Sequence, residues 1–273
     1  MRIGTTSFIY PGGWLYNVER LGPHFDDVEV LFFESERPHA FPSPAECEAL
    51  ARAKRELGLS FSLHTPLDAS LASEDEQKRR AGVRAVTRAI EAAASFEPEA
   101  YVLHVYLGEA EHAERRPADV EGWRARATRS LVEIMDQGIP SRRLCIEQLD
   151  YDFSLIEPVI EALDLSIALD VGHLVRDGQD ELAALERYLP RVSIVQWHGT
   201  DPEDRDHRSL VHYPLPRARA LLAALLEAKY DGVLTLEVFR EADLQSSQAL
   251  LTKLLEELTS ERRAQPGPVG RPA

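Results

Sequence analysis

The chain has 273 residues, 44% of them hydrophobic and 28% charged, with a formal net charge of −15 at pH 7. That length can bury one large core, and the composition is ordinary for a globular protein. The acidity argues against nucleic acid, because duplex binders need a basic face to neutralise phosphate. No apolar run reaches membrane-spanning length, and the N-terminus shows no signal-peptide pattern. The two cysteines, Cys47 and Cys145, make no disulfide framework, and Cys145 inside an apolar run reads as a small core residue. No membrane association is expected, and the expected compartment is the reducing cytoplasm. The basic residues around 78–80 and 124–129 are interleaved with acidic or small ones and read as solvated helix faces.

Residues 2–7 read as a first strand, followed by the loop Phe8-Ile-Tyr-Pro-Gly-Gly-Trp14, rich in aromatics and turn formers. A second strand covers 27–33 and ends at Glu34. Pro44 opens a helix that stops at Gly58. Residues 59–63 form a third strand, which delivers His64, and a helix follows over about 74–94. The fourth strand, 101–103, delivers His104. Over 118–137, Val120, Trp123, Ala127, Leu131 and Ile134 share one side at helical spacing, a core stripe. The fifth strand, 143–146, delivers Glu147 and Gln148. The sixth, 166–169, runs into Asp170-Val-Gly-His173, where Gly172 is expected to let the backbone bend. The seventh, 192–197, delivers His198, and the eighth, 233–236, delivers Glu237. Further helices fall at about 154–162, 181–189, 216–229 and 243–258. Eight strands alternating with helices predict one closed (β/α)₈ barrel over 1–259. Residues 260–273, with Pro266, Gly267, Pro268 and Gly270, are expected to be a disordered tail. An open doubly wound sheet fits the same order, but the first turn lacks a dinucleotide fingerprint.

The carboxyl ends of barrel strands line the mouth where chemistry is done. Six of the ends carry a metal-competent side chain: His64, His104, Glu147, Asp170 with His173, His198 and Glu237. Each alone has a plain structural alternative; Asp170 could cap a helix and His173 could be a loop histidine. Together, imidazoles and carboxylates around one pocket would repel and desolvate badly, and cations relieve both costs. The expected cofactors are divalent ions, zinc first, with manganese or iron as alternatives. Glu147 is the candidate bridge between two ions. His207, in Asp204-Arg-Asp-His-Arg208, adds a weaker candidate. Tyr10, Trp14, Tyr16, Tyr106, Trp197 and Tyr213 fall in or beside the mouth loops and offer flat apolar surface to a large ligand, against the alternative of loop packing. Arg205 and Arg208 could neutralise developing charge or be solvated loop residues.

The ordered set Leu-His-Thr-Pro at 63–66, Val-Leu-His at 102–104, Ile-Glu at 146–147, Leu-Asp-Val-Gly-His at 169–173, Gln-Trp-His-Gly at 196–199 and Leu-Glu at 236–237 resembles the xylose isomerase-like TIM barrels. The nearest likeness is to the AP endonuclease family 2 branch, over nearly the whole chain. By resemblance to endonuclease IV, His64, His104 and Glu147 would hold one ion, and Glu147, Asp170, His198 and Glu237 a second. His173 and His207 would hold a third with an Asp two residues before that histidine. Arg205 stands there instead, flanked by Asp204 and Asp206, so two ions are expected and a third needs a shifted ligand.

A further likeness, carried by 4–11, 147–151 and 197–199 with Asp206-His207, is to the cobamide-remodelling phosphodiesterases. It implies cleavage of the nucleotide loop of a corrinoid, with Glu147, Asp170 and Glu237 catalytic. Tyr10, Trp14, Tyr106, Gln148, Trp197, Arg205 and Arg208 would meet that small-molecule substrate. A sugar isomerase or epimerase is the rival, with Glu147 and Glu237 as an acid/base pair and Asp170 and His198 on the metal. An abasic-site endonuclease shares the metal site but conflicts with the acidity. A metal- or corrinoid-binding protein without turnover is the non-enzymatic rival.

Overall fold

The computed structural model describes residues 1–108, 116–203 and 205–264. Short apolar runs form the strands β1 (Arg2–Thr6), β2 (Asp27–Leu31), β3 (Ser60–His64), β4 (Ala100–Leu103), β5 (Leu144–Glu147), β6 (Ser166–Asp170), β7 (Val192–Trp197) and β8 (Val233–Leu236). They pair in parallel in sequence order, and β8 closes on β1 through Arg2↔Val233 to Thr5↔Leu236. The expected (β/α)₈ barrel is therefore the observed fold.

Around it lie α1 (Trp14–Leu21), α2 (Pro44–Leu57), α3 (Glu76–Ala93), α4 (Val120–Met135), α5 (Glu157–Ala162), α6 (Val171–Arg176), α7 (Glu181–Tyr188), α8 (Leu215–Glu227) and α9 (Glu241–Ala264). Local chemistry sets the ends of α2. Ser43 and Glu46 form a reciprocal capping box before Pro44, and Gly58, at φ 68°, supplies the left-handed stop. On α4, Trp123, Ala127, Leu131 and Ile134 are buried, as the helical stripe predicts. Two helices depart from expectation. α1 starts inside the expected aromatic loop, and α6 begins directly after Asp170, where a loop was expected. α9 continues past Leu258 to Ala264, across the expected start of the tail, and residues 265–273 lie outside the described residues. Among the described residues no helix is long and apolar enough to cross a membrane.

Two apolar regions divide the core. The larger packs helices on the outside of the barrel, with Val28, Phe61, Leu63, Leu103, Trp123 and Ile146 buried in it. The smaller is Ala100, Val102, Cys145, Ala168, Ile194 and Val233 inside the barrel. Strand alternation does the rest: a residue two positions after an inward one is also inward. Cys145 leads to Glu147, Ala168 to Asp170, Val102 to His104, and Ile194 through Gln196 to His198. Each of these four strands thus lifts a polar side chain onto one rim.

Candidate metal centre

The rim side chains converge. Glu147 Oε2 lies 3.1 Å from His64 Nε2 and 2.7 Å from His104 Nε2. Asp170 Oδ1 lies 3.2 Å from His198 Nε2, and Asp170 Oδ2 lies 3.0 Å from His173 Nδ1. Glu237 Oε2 is 3.7 Å from His207 Nδ1. Four sets have their ligand atoms within 4.8 Å of one another: His64, His104 and Glu147; Glu147, Asp170 and His173; Asp170, His198 and Glu237; and His173, His198 and His207.

Each ring is also held from behind. His64 Nδ1 lies 2.9 Å from Thr65 O, His198 Nδ1 3.2 Å from Gly199 O, and His207 Nδ1 3.3 Å from Glu237 O. His104 Nδ1 lies 2.5 Å from Tyr106 Oη, and His173 Nδ1 3.4 Å from Gln148 O. A histidine that donates Nδ1–H to an oxygen keeps its Nε2 lone pair for an ion, the usual arrangement of imidazole ligands. The His207 amide also approaches His198 Nδ1, from 3.1 Å, and an ion on Nε2 would select the Nδ1–H form over that contact. Meanwhile Asp170 Oδ2, His198 Nε2 and Glu237 Oε2 are buried without a hydrogen-bond partner. Their short distances to neighbours are proximity without bonding geometry. Buried polar atoms are normally paired, so this donor set fits a group that would complete it.

The electrostatics agree. Burial opposes charge on Glu147, but the imidazoles of His104 and His64 outweigh it and hold the carboxyl well below its ordinary value. Burial likewise opposes the charge on His64, yet Glu147 raises it to about 9. Asp170 is held down against its burial by His173 and His198. Glu237 goes the other way: burial, then the charges of Asp170 and Glu147, push it well above the ordinary carboxylate range. Burial and His198 take His207 down to about 4. The side chains alone therefore do not sustain three charged carboxylates together. Added positive charge at the rim would let Glu237 ionise beside the other two.

Asp170 also accepts the His173 N–H at 2.8 Å as the N-cap of α6, so the cap and the cluster role coexist. His173 is buried and is not a surface loop residue. Gly172 corrects an expectation. It lies within α6 and outside the left-handed region; what it supplies is clearance, since a Cβ there would come 2.5 Å from His198 Nε2.

The residues expected on the substrate are less uniform. Tyr106 sits on His104, inside the cluster. Tyr10 is half-buried, with the Arg20 guanidinium 4.5 Å from its ring, and Trp14 donates from Nε1 to Leu31 O. Gln148 is fully buried, and its Nε2 donates to Leu149 O. Trp197 must be withdrawn from the substrate set: alternation that turns Gln196 and His198 inward turns it outward, and it is fully buried against Tyr213. Tyr213 and Tyr16 do not meet the cluster either, the one buried behind β7 and the other packed on Tyr10. Arg205 pairs with Asp201 and Glu203, and Arg208 lies 3.6 Å from both Asp201 and Asp243. Arg205 is thus engaged by loop carboxylates, and Arg208 faces Asp201 and, on α9, Asp243 without a hydrogen bond from its Nε; neither is among the cluster's ligand sets.

Sequence reasoning named Asp206 only as a flank of Arg205 and within a motif, and it missed Phe239 and Glu29. Asp206 stands 3.7 Å from His173 Nε2 and 3.9 Å from His207 Nε2, but Arg176 Nη1 holds it at 2.5 Å. Its position beside His207 was the available signal, whereas Arg176 comes from the unexpected α6. Asp204 lies outside the described residues. Phe239 stacks on the His207 ring at 4.8 Å. Glu29, fully buried on β2, has neither carboxylate oxygen bonded and is pushed to about 8, chiefly by burial.

Solved structures share this architecture. A D-tagatose 3-epimerase-like protein is 21% identical with a TM-score of 0.77, over 96% of this chain and 99% of that one. Endonuclease IV from Thermus thermophilus is 22% identical with a TM-score of 0.71, over 94% and 100%. An L-ribulose 3-epimerase is 16% identical with a TM-score of 0.72, over 99% of both chains. At such identities the likeness is one of fold. The sequence matches no curated protein. Residues 15–257 match the model of the xylose isomerase-like TIM barrels, and the chain belongs to that family.

Proposed function

We propose that the chain is a metal-dependent phosphodiesterase that hydrolyses the nucleotide loop of cobamides. The observation that carries the metal chemistry is the pair of ligand sets meeting at Glu147. His64 and His104 lie on one side of it and Asp170 and His173 on the other, and Asp170 is shared in turn with His198 and Glu237. So many imidazoles suit zinc better than ions that seek only oxygen. Ions bound there would supply acidification of a water and neutralisation of phosphate charge. Glu147 would hold the two positions together, and Asp170 is fixed by its cap to α6 so that its free oxygen faces the rim. Glu237 Oε2 is placed to keep a proton or, beside an ion, to release it. Arg176 occupies Asp206, which favours two ions over three.

The cobamide assignment rests on the sequence likeness in 4–11, 147–151 and 197–199. The net charge of −15 weighs against DNA. A sugar epimerase is the second reading, supported by the Asp170, His198 and Glu237 set with Glu147 opposite, and by epimerases among the proteins of like fold. The test is to incubate the zinc-loaded protein with adenosylcobalamin, a sugar panel and abasic DNA, and to identify products by mass spectrometry. Cleavage of the corrinoid phosphodiester, lost in Glu147→Gln, is the expected result. Conversion of a sugar alone, with one ion bound per chain, overturns it.

A further inference from the structure

Metal-competent side chains stand at the ends of β3 to β8, whereas the two residues after β1 and the two after β2 include none. Those positions carry phenylalanines instead, among them Phe8 after β1 and Phe33 after β2. A third ring, Phe239, follows β8, the strand that pairs with β1 on its other side. The three rings pack edge to face. Centroids are 4.7 Å apart for Phe8 and Phe33, 6.3 Å for Phe33 and Phe239, and 6.4 Å for Phe8 and Phe239. Phe239 in turn lies against His207, so the cluster is continuous with the metal centre. Phe8 is 52% exposed, a costly state for a phenylalanine that is not needed to fill the core.

A cavity of about 260 Å³ opens beside Phe8 and Phe33, with Trp14, Leu31 and Pro38 among its walls. The charged residues at its border, Glu34 and Arg37, pair with each other at 2.5 Å, and Ser7 and His39 are its other polar side chains. A flat, uncharged ring laid on these walls gains stacking surface and keeps its polar edge free to face the open side.

We propose that Phe8, Phe33 and Phe239 form a shelf for a neutral heteroaromatic ring of the substrate, a nucleoside base, while the diester reaches the metal centre. This subsite rests on the phosphodiesterase reading for its place in catalysis, but its ligand can be tested without turnover. Trp123 and Trp197 are fully buried, which leaves Trp14, in the cavity wall, as the local fluorescent reporter. The metal-loaded protein is titrated with adenosine and with a benzimidazole riboside, and Trp14→Phe identifies the signal. The expected result is saturable quenching that Phe8→Ala weakens about ten-fold or more, in line with the contribution of one stacked base. Phe33→Ala, more buried, is the second variant, and thermal melting and metal content confirm that both are folded. No saturable response at millimolar nucleoside, equal affinity in Phe8→Ala, or a response to D-tagatose in place of the nucleosides would overturn the shelf. Nucleoside binding without diester hydrolysis would leave the shelf and remove the phosphodiesterase reading. Hydrolysis of a glycerol phosphodiester with no nucleoside binding would do the reverse.

Discussion

The floor and the mouth of one barrel both bury carboxylates, yet their polar groups are treated differently. At the floor Asp27, 1% exposed, accepts hydrogen bonds from Ser60 Oγ at 2.7 Å and Ser62 Oγ at 2.9 Å. At the mouth Glu237, 3% exposed, has an oxygen with no partner, as does Asp170, and His198 has an unpartnered nitrogen. Burial therefore does not by itself leave a carboxylate unsatisfied here; the floor shows that hydroxyl partners can be supplied. The mouth withholds them and supplies imidazoles whose far nitrogens are already tied to oxygens. That contrast separates a structural acid from a set of ligands.

The most severe way to break the comparison is Glu147→Gln, which removes the carboxylate shared by both ligand sets. Activity should fall by more than about 100-fold, beyond the loss typical of residues that merely support ligands. Elemental analysis should show fewer ions per folded chain, and an unchanged metal content would sink the shared-ligand assignment. Chelation comes next. Stripping ions should lower the melting temperature, and zinc at roughly 100 times its dissociation constant should restore about 2.7 kcal/mol per site. Equal melts with and without chelator would count against a metal centre.

Tyr106→Phe sharpens the contrast more gently, since it leaves His104 in place but removes the oxygen at its Nδ1. A roughly 10- to 100-fold loss of metal affinity or activity is expected, and zinc titration measures it. The smallest effect belongs to the floor. Burial raises Asp27 from 3.8 to about 6, only partly offset by Ser60 and Ser62. The folded state thus holds a proton that the unfolded chain has released, and stability falls as pH rises from about 4 through about 6. Asp27→Asn escapes that loss, so its melting temperature relative to the parent should climb across this window and level off above it. A difference that is flat or falls with pH would show that the floor carboxylate is charged without penalty.

The rim residues were legible because a short strand followed by one polar residue fixes both register and direction. His64, His104, Glu147, Asp170, His198 and Glu237 could all be placed that way. The same alternation, applied one residue earlier, was enough to turn Trp197 away from the mouth, so that error was avoidable. Other features had no local signal. Arg205 finds Asp201 through a turn, Arg176 reaches Asp206 from a six-residue helix, and Phe239 meets His207 only once the barrel closes. Burial of Gln148 reflects its place behind β5 and could not be read from a strand end that also delivers Glu147.

Gly172 has a consequence for how the sixth and seventh strands are coupled. With no side chain between them, the ring of His198 rests almost on the bare backbone of the following turn. One added methyl would displace the ring of His198, 26 positions further along the chain, with the identity of every candidate ligand unchanged. The spacing between two neighbouring ligands is thus written into an atom that the sequence leaves out.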